Sequence, residues 1–404
     1  MRDTIDFGID LGTTNSAIAV IENGTVCVIK NNEGWEYTPS AVWMPKPDVV
    51  HVGRRARERI EKDAKNAFAE FKREMGLAQA RKHFVTAGVT LTPQQLSAEV
   101  LKSLCADAAH QCGARPEAAV ITVPAAFALN QNHATAEAAA LAGLGTGCPL
   151  VQEPTAAAFA YGFADQSDKA YWMVFDFGGG TFDAAIVSKR DGELQVINHA
   201  GDTALGGKEI DWAVVRRILA PAISRELGFT EFTQDNAKWL GNFAKLKIAA
   251  EDAKIQLSRQ QSAEIRVELA DGHGGTTTFE FELSRGELDR IAEPFYVQAI
   301  NHCREALTEG NLHSDDIDRL LLVGGTTLAP GLRERLADPQ LGLGIAIDHS
   351  QDPTTVVARG AAIFAGTVPI VRPFEVPKAG EFTVELAFER SVTTTNPAIA
   401  GRVH

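Results

Sequence analysis

Ile9-Asp10-Leu11-Gly12-Thr13-Thr14-Asn15-Ser16 and Phe175-Asp176-Phe177-Gly178-Gly179-Gly180-Thr181-Phe182-Asp183 are the two stretches of sequence that decide the fold. Each is an apolar strand that ends in Asp, followed by a turn of Gly and Thr and by the start of a second apolar strand. A hairpin signal then closes each unit, Asn23-Gly24 in the first and Asp191-Gly192 in the second. Because repeats at so long a spacing are typical of duplicated domains, the sequence predicts two similar halves.

The two turns have the composition of a phosphate-binding loop. Gly has no Cβ, so its backbone N–H can approach a phosphate closely, and Thr hydroxyls add further donors. Asp10 and Asp176 stand just before the turns, where a carboxylate can hold a hydrated Mg²⁺, an ion that prefers oxygen ligands. A turn that merely joins two strands is the alternative, and the matched copies argue against it. Two such loops facing each other would hold a polyphosphate from both sides.

The bulk composition of the chain excludes several classes of protein. At 404 residues, 45% hydrophobic and 23% charged, the chain is long enough for two or three domains of ordinary globular composition. The net charge of -13 predicts no binding to nucleic acid or to an anionic membrane. The five cysteines form no C-x-x-C pair, and neither a signal peptide nor a run of roughly 18 apolar residues is visible. We therefore expect a soluble, cytoplasmic protein.

Hydrophobic periodicity and turn residues predict the main helices and strands between and after the two turns. Buried strands are expected over 118–124 and 320–323. Helices are expected over 54–75, 94–112, 130–142, 156–161, 236–257 and 354–366.

Six motifs taken in order resemble the nucleotide-binding domain of the DnaK-type, seventy-kilodalton heat-shock chaperones. They occupy residues 9–16, 121–125, 153–158, 176–183, 201–207 and 322–325. The resemblance extends from about residue 5 to 367 and implies an α/β architecture, a duplicated ribonuclease-H-like (actin-like ATPase) fold with a nucleotide cleft between two lobes. Lobe I is expected to comprise residues 1–168 and 353–367, lobe II residues 169–352, and a linker with a short β tail residues 368–404.

The resemblance also implies the catalytic residues. Asp10 and Asp176 would hold Mg²⁺ through water, and Asp176 would share in catalysis with Thr181 and Asp183 near the γ-phosphate. Glu153 would orient the attacking water. Lys72 would supply positive charge, although a lysine on a charged stretch is more often a solvated surface residue.

Further residues are implied to contact ATP or ADP. Glu251, Lys254 and Ser258 are spaced to share one helical face and would contact the nucleoside, the alternative being a solvated face with an ion pair. The other implied contacts are Gly12, Thr13, Thr14, Gly178, Gly179, Gly180, Gly206, Gly207, Gly324, Gly325, Leu328 and Asp352.

Two positions depart from the family pattern at the base. Leu328 stands where the family usually has an Arg that stacks on adenine, and Thr354 stands where it has an acidic residue. A stacked cation typically contributes on the order of 0.5–2 kcal/mol. We therefore expect weaker discrimination for adenine, with comparable affinities for ATP and GTP.

The C-terminal residues of the chain depart further from the family pattern. Residues 368–404 contain Pro369, Pro373 and Pro377, followed by an alternating strand at Phe382, Val384, Leu386 and Phe388. One or two strands fall far short of the peptide-binding β-sandwich of the family. The chain is either part of a longer protein or a short family member, and peptide capture by it is not expected.

The predicted function is a slow, Mg²⁺-dependent ATPase whose nucleotide drives closure of the lobes of a chaperone. A J-domain co-chaperone and a nucleotide-exchange factor are the partners implied, and a monomer is expected. Two alternatives share the architecture, a small-molecule phosphotransferase of the sugar and acetate kinase type and an actin-like filament protein.

Overall fold

A computed structural model of the chain describes residues 4–60, 62–145, 147–162 and 169–370 and the two strands 384–387 and 400–403. The strands in these ranges are β1 (Phe7–Asp10), β2 (Asn15–Glu22), β3 (Thr25–Val28), β4 (Thr38–Pro39), β5 (Ala41–Lys46), β6 (Val49–Val52), β7 (Ala67–Ala69), β8 (Lys82–Phe84), β9 (Val89–Leu91), β10 (Val120–Val123), β11 (Leu150–Gln152), β12 (Lys169–Phe177), β13 (Phe182–Arg190), β14 (Glu193–Asp202), β15 (Ser262–Ala270), β16 (Thr276–Ser284), β17 (Arg319–Val323), β18 (Ile347–Asp348), β19 (Val384–Ala387) and β20 (Ala400–Val403).

The α-helices in the same ranges are α1 (Arg54–Arg57), α2 (Pro93–Cys112), α3 (Leu129–Leu141), α4 (Glu153–Gly162), α5 (Gly207–Val214), α6 (Ala220–Leu227), α7 (Leu240–Leu257), α8 (Arg285–Glu309), α9 (Pro330–Ala337) and α10 (Val356–Ala365). Two short 3₁₀ turns matter for the site, Phe71–Glu74 and Gly325–Leu328. Among the described residues no helix is both long and apolar enough to cross a bilayer.

Two mixed sheets share one topology. In the first, the order is β11-β10-β1-β2-β3, with β1, β2 and β3 antiparallel and β10 and β11 parallel to β1. In the second, the order is β14-β13-β12-β17-β18, again with three antiparallel strands followed by two parallel ones. The first strand of each triplet carries its Asp at or next to its end, Asp10 as the last residue of β1 and Asp176 as the residue before the last of β12, so the duplication predicted from the sequence is confirmed.

Three large apolar clusters hold the sheets and helices together. One packs the second sheet against α5–α8, and another packs the first sheet against α2 and α3. The third contains buried residues of both sheets together with α4 and α10. These two helices therefore join the halves, and they cross where Gly360 of α10 meets the backbone of Ala156 in α4.

Most predicted elements are confirmed. The strands at 118–124 and 320–323 and the helices at 94–112, 130–142, 156–161 and 354–366 are present, with shifts of a few residues at their ends. The helix expected over 236–257 is α only from Leu240, after a 3₁₀ turn at Ala237–Trp239.

The helix predicted over 54–75 is wrong beyond its first turn. Tertiary pairing overrides helical propensity here, because β7 pairs antiparallel with β5. Glu70 then adopts a left-handed conformation (φ 58°), which ends any helix before the 3₁₀ turn that follows. This break allows Lys72 to point into the protein.

The predicted tail strand is confirmed over Val384–Ala387, which pairs antiparallel with Ala400–Val403. The rest of that prediction, including Phe382 and Phe388, lies outside the described residues.

Candidate active site

The two Gly/Thr turns lie opposite each other. Gly12 N donates to Ser16 Oγ (3.1 Å) in the first, and Gly178 N donates to Thr181 O (3.1 Å) in the second. Across the gap, a Cβ placed on Gly179 would lie 2.7 Å from Thr14 Oγ1, closer than a real Cβ contact. A glycine is therefore needed where the two turns meet.

Four carboxylates converge beneath these turns. Asp10 ends β1, Asp176 and Asp183 are directly paired in β12 and β13, and Glu153 begins α4. Asp10 also accepts a hydrogen bond from Thr122 Oγ1 (3.1 Å). The pKa of Asp176 is raised well above its ordinary value by burial and by the charges of Glu153, Asp183 and Asp10. Asp10 and Asp176, from opposite halves, are thus within electrostatic reach of each other.

Lys72 supplies positive charge to this cluster. Its Nζ donates to Glu153 Oε1 at 2.6 Å and lies 5.6 Å from the ring centroid of Phe127. The residue is only 5% exposed, so a solvated surface lysine is excluded. The 3₁₀ turn Phe71–Glu74 holds it there by burying Phe71 beside it.

The cluster has an excess of negative charge. Burial and the charge of Glu153 raise the pKa of both Asp10 and Asp183 to about 7, and Lys72 only partly opposes this. A divalent cation would relieve the repulsion and favour the ionised carboxylates. Within the described ranges no three acidic, imidazole or thiol groups stand close enough to ligate a metal directly. The donor set therefore fits a cation held by few carboxylates and by water.

These pKa shifts predict how stability depends on pH without metal or nucleotide. Between about pH 4 and 7 the folded protein keeps protons on Asp10 and Asp183 that the unfolded chain releases near its ordinary pKa of about 3.9. We therefore expect the free energy of unfolding to fall as pH rises through this window. Thermal melts of wild type and Asp183→Asn test this, and the variant should show a shallower fall. A melting temperature that rises equally in both proteins would contradict it.

The glycine-rich segments of the second half pack on one another. Gly207 N donates to Gly178 O (3.0 Å), and Thr326 Oγ1 donates to the same oxygen (3.0 Å). A Cβ on Gly206 would lie 2.5 Å from the carbonyl carbon of Gly180, and Gly324 (φ 86°) lies against Phe177 O. The structure thus places Gly206, Gly207 and Gly324 as supports of the Gly178–Gly180 turn. Gly325 is exposed beside them.

The residues predicted for the nucleoside are held by partners of their own. Glu251 accepts hydrogen bonds from Arg57 and from Lys247 (3.1 Å). Burial alone would raise the pKa of Glu251, but the charges of Arg57, Lys247 and Lys254 hold it at about 2. Lys254 Nζ contacts Asp211 Oδ1 (2.6 Å) and donates to Gly207 O (2.9 Å), which ties α7 to α5. Because Glu251 and Lys254 are both held by partners within the protein, the alternative of a solvated helical face does not describe these two residues.

The remaining predicted residues lie nearer the surface. Ser258 Oγ donates to Ile255 O (2.6 Å), and Asp352 Oδ1 accepts from Thr354 N (2.8 Å). Leu328 is half-buried at the end of its 3₁₀ turn, and Thr13 is half-buried in the first turn. The hydrogen bonds of Ser258 and Asp352 are thus local, unlike those of Lys254 and Glu251.

Sequence reasoning missed the residues that connect the two halves. Arg57 at the end of α1 pairs with Glu251 of α7, Lys208 Nζ donates to Glu70 Oε2 (2.8 Å), and Arg73 donates to Gly180 O. The only signal was the density of arginine at 54–59, which does not identify a partner.

The duplicated sheets, the facing turns and the carboxylates between them define a two-lobed protein of the actin-like ATPase fold. The chain belongs to the Hsp70 family, since the family model described as "Hsp70 protein" matches residues 6–373. The matched region is a DnaK-type nucleotide-binding domain.

Two bacterial relatives illustrate the similarity. One is "Chaperone protein DnaK" of Mycoplasma mobile, 36% identical over 358 residues that cover 88% of this chain and 57% of the relative. The other is the protein of the same description from Ureaplasma parvum serovar 3, 35% identical over 370 residues, covering 91% and 59%. The chain therefore spans less than two thirds of the length of these curated relatives.

Proposed function

We propose that this chain binds ATP in the cleft between its halves and slowly hydrolyses it to ADP and phosphate. The observation that carries the proposal is the buried cluster of four carboxylates and Lys72 beneath two facing Gly/Thr turns. Phosphoryl transfer needs charge neutralisation and alignment more than covalent chemistry. Lys72 and a cation held by the carboxylates would supply the neutralising charge, and the two turns would align the phosphates.

Each group has a role in that proposal. Asp10 and Asp176 hold Mg²⁺ through water, and the ion when bound neutralises charge on the phosphates. Lys72 adds positive charge near the γ-phosphate, and Glu153, bonded to Lys72, orients the attacking water. Asp183 and Thr181 lie at the second turn near the γ-phosphate.

Further residues bind the nucleotide in this proposal. The backbones of Gly12 and Gly178–Gly180, with the hydroxyls of Thr13 and Thr14, hold the phosphates. Gly206, Gly207, Gly324 and Gly325 shape the wall of the cleft, and Glu251, Lys254, Ser258, Leu328 and Asp352 surround the nucleoside.

The proposed lobes follow the sheets. Residues 1–168 with 353–367 form lobe I and residues 169–352 form lobe II. Packing of α10 on β1, β2 and α4 supports the return of the chain to lobe I. The contacts that cross the cleft, such as Arg57–Glu251, would form and break as nucleotide closes and opens the lobes.

We further propose that the protein acts as a cytoplasmic, monomeric component of an ATP-dependent chaperone system with a J-domain co-chaperone and a nucleotide-exchange factor. The relatives named DnaK support this role. No observation favours a sugar or acetate kinase or a filament protein.

A steady-state ATPase assay of Asp176→Asn tests the proposed function. The amide removes a negative charge from the proposed metal site, so we expect turnover to fall by about 100-fold or more and the Mg²⁺ concentration needed for half-maximal activity to rise. Asp191→Asn is the matched control, because Asp191 is exposed in the turn after β13. Equal turnover of both variants and wild type would reject the proposed site.

A further inference from the structure

His199 is an exposed residue of β14 beside the carboxylate cluster. It is paired with Ala185 of β13, and Gly201 is paired with Asp183. Directly paired residues share a face of a sheet, and so do residues two apart along a strand. His199 is therefore on the face that carries Ala185 and Asp183, which packs against α4.

A cavity of about 10 Å³ lies between His199 and the cluster. Glu153, Asp176, Asp183 and His199 are among the residues that line it. The volume is close to the roughly 10–15 Å³ that one water molecule requires, and the carboxylates provide the polar partners that a water needs. His199 both lines this cavity and is exposed to solvent.

The charged groups that face His199 come from three elements. Glu153 is the single charged residue of α4, and Asp183 lies on the neighbouring strand β13. Asp176 is one strand further away, on β12, with β13 between it and His199. Lys72 is bonded to Glu153 and not to the strand that carries His199. The charged groups that line the cavity together with His199 are therefore carboxylates.

Hydrolysis of ATP produces a proton that must leave this closed site. The water oxygen bonds to the γ-phosphorus, the bond from that phosphorus to the β–γ bridging oxygen breaks, and near neutral pH one proton of the water is set free. Imidazole is the side chain whose ordinary charge change falls between pH 5 and 8. We propose that His199 takes up this proton through water in the cavity and passes it to solvent.

The inference rests on the proposed ATPase activity and is tested by single-turnover hydrolysis with proton release followed by a pH indicator. For both His199→Gln and His199→Ala we expect hydrolysis rates at pH 7 that are roughly ten- to a hundredfold lower than that of wild type. A loss of this size does not exceed what a positioned proton acceptor typically contributes to a rate. The affinity for ADP should not change. Added imidazole should restore much of the rate of the Ala variant, in proportion to its unprotonated fraction, and should not accelerate the Gln variant.

His273→Gln, in the exposed turn between β15 and β16, is the control and should behave as wild type. Rates of both His199 variants within twofold of wild type would overturn the inference and leave the ATPase proposal intact. Slower variants that imidazole does not restore, with an unaltered pH dependence, would also overturn it, because His199 would then have only a structural role. A wild-type protein without turnover would reject the ATPase proposal itself.

Discussion

Replacing Lys72 with Ala should nearly abolish ATP hydrolysis while nucleotide still binds. Lys72 is buried and bonded to Glu153 at 2.6 Å, so the substitution removes positive charge from a site that already carries four carboxylates. The negative charge that develops on the transferred phosphoryl group would then lose a fixed partner. Loss of one such preorganised group typically lowers turnover by about 10²–10³-fold. Binding should persist, because the turns, the glycine supports and the α7 contacts do not involve Lys72.

Single-turnover hydrolysis and calorimetric titration with ADP measure the two effects separately. Lys82→Ala is the control, since Lys82 is on the next strand and pairs with Glu74 at 2.6 Å, with part of its side chain in solvent. We expect it to hydrolyse ATP at the wild-type rate. A Lys72→Ala protein that turns over normally would show that this lysine does not act on the phosphates.

The sequence was most informative where local chemistry is repeated. The Asp–Gly/Thr turns predicted both hairpins and the duplicated sheets, because strand endings and turn residues are set by neighbouring residues in the chain. The same repeat predicted that Asp10 and Asp176 would come together. That prediction needed only the pseudo-symmetry of two similar units.

Contacts between distant segments could not be predicted in this way. Nothing near Arg57 in the sequence identifies Glu251 as its partner, because the pair joins α1 to a helix that is distant in the chain, α7. The break in the helix predicted over 54–75 also results from a contact that the local sequence does not indicate, because residues 67–69 pair with β5 as a strand. Gly206 and Gly207 were predicted to contact the nucleotide, and in the structure an added Cβ at these positions would also meet the backbone of the neighbouring turn, Thr326 or Lys254. A glycine in a sequence can indicate that another group packs closely against the backbone, but it does not identify that group.

The close approach of α10 to α4 predicts the largest loss of stability, from Gly360→Ala. The added Cβ would lie 1.6 Å from Ala156 O and 3.2 Å from Ala160 N, and these are backbone atoms that cannot rotate away. The two helices would have to separate, which opens the apolar cluster shared by both sheets. Overpacking a core typically costs about 1–3 kcal/mol and occasionally more, and we expect at least the upper value here. Chemical denaturation measures the free energy of unfolding directly.

Gly241→Ala is the matched control, because Gly241 lies in α7 with no atom within 4 Å of an added Cβ. Alanine favours a helix over glycine by up to about 1 kcal/mol, so this variant should be as stable as wild type or more stable. The effect of Gly360→Ala should also extend to catalysis, since α4 begins with Glu153 and a displaced helix moves that carboxylate away from Lys72. If Gly360→Ala unfolded at the same denaturant concentration as Gly241→Ala, the two helices could not cross at Gly360.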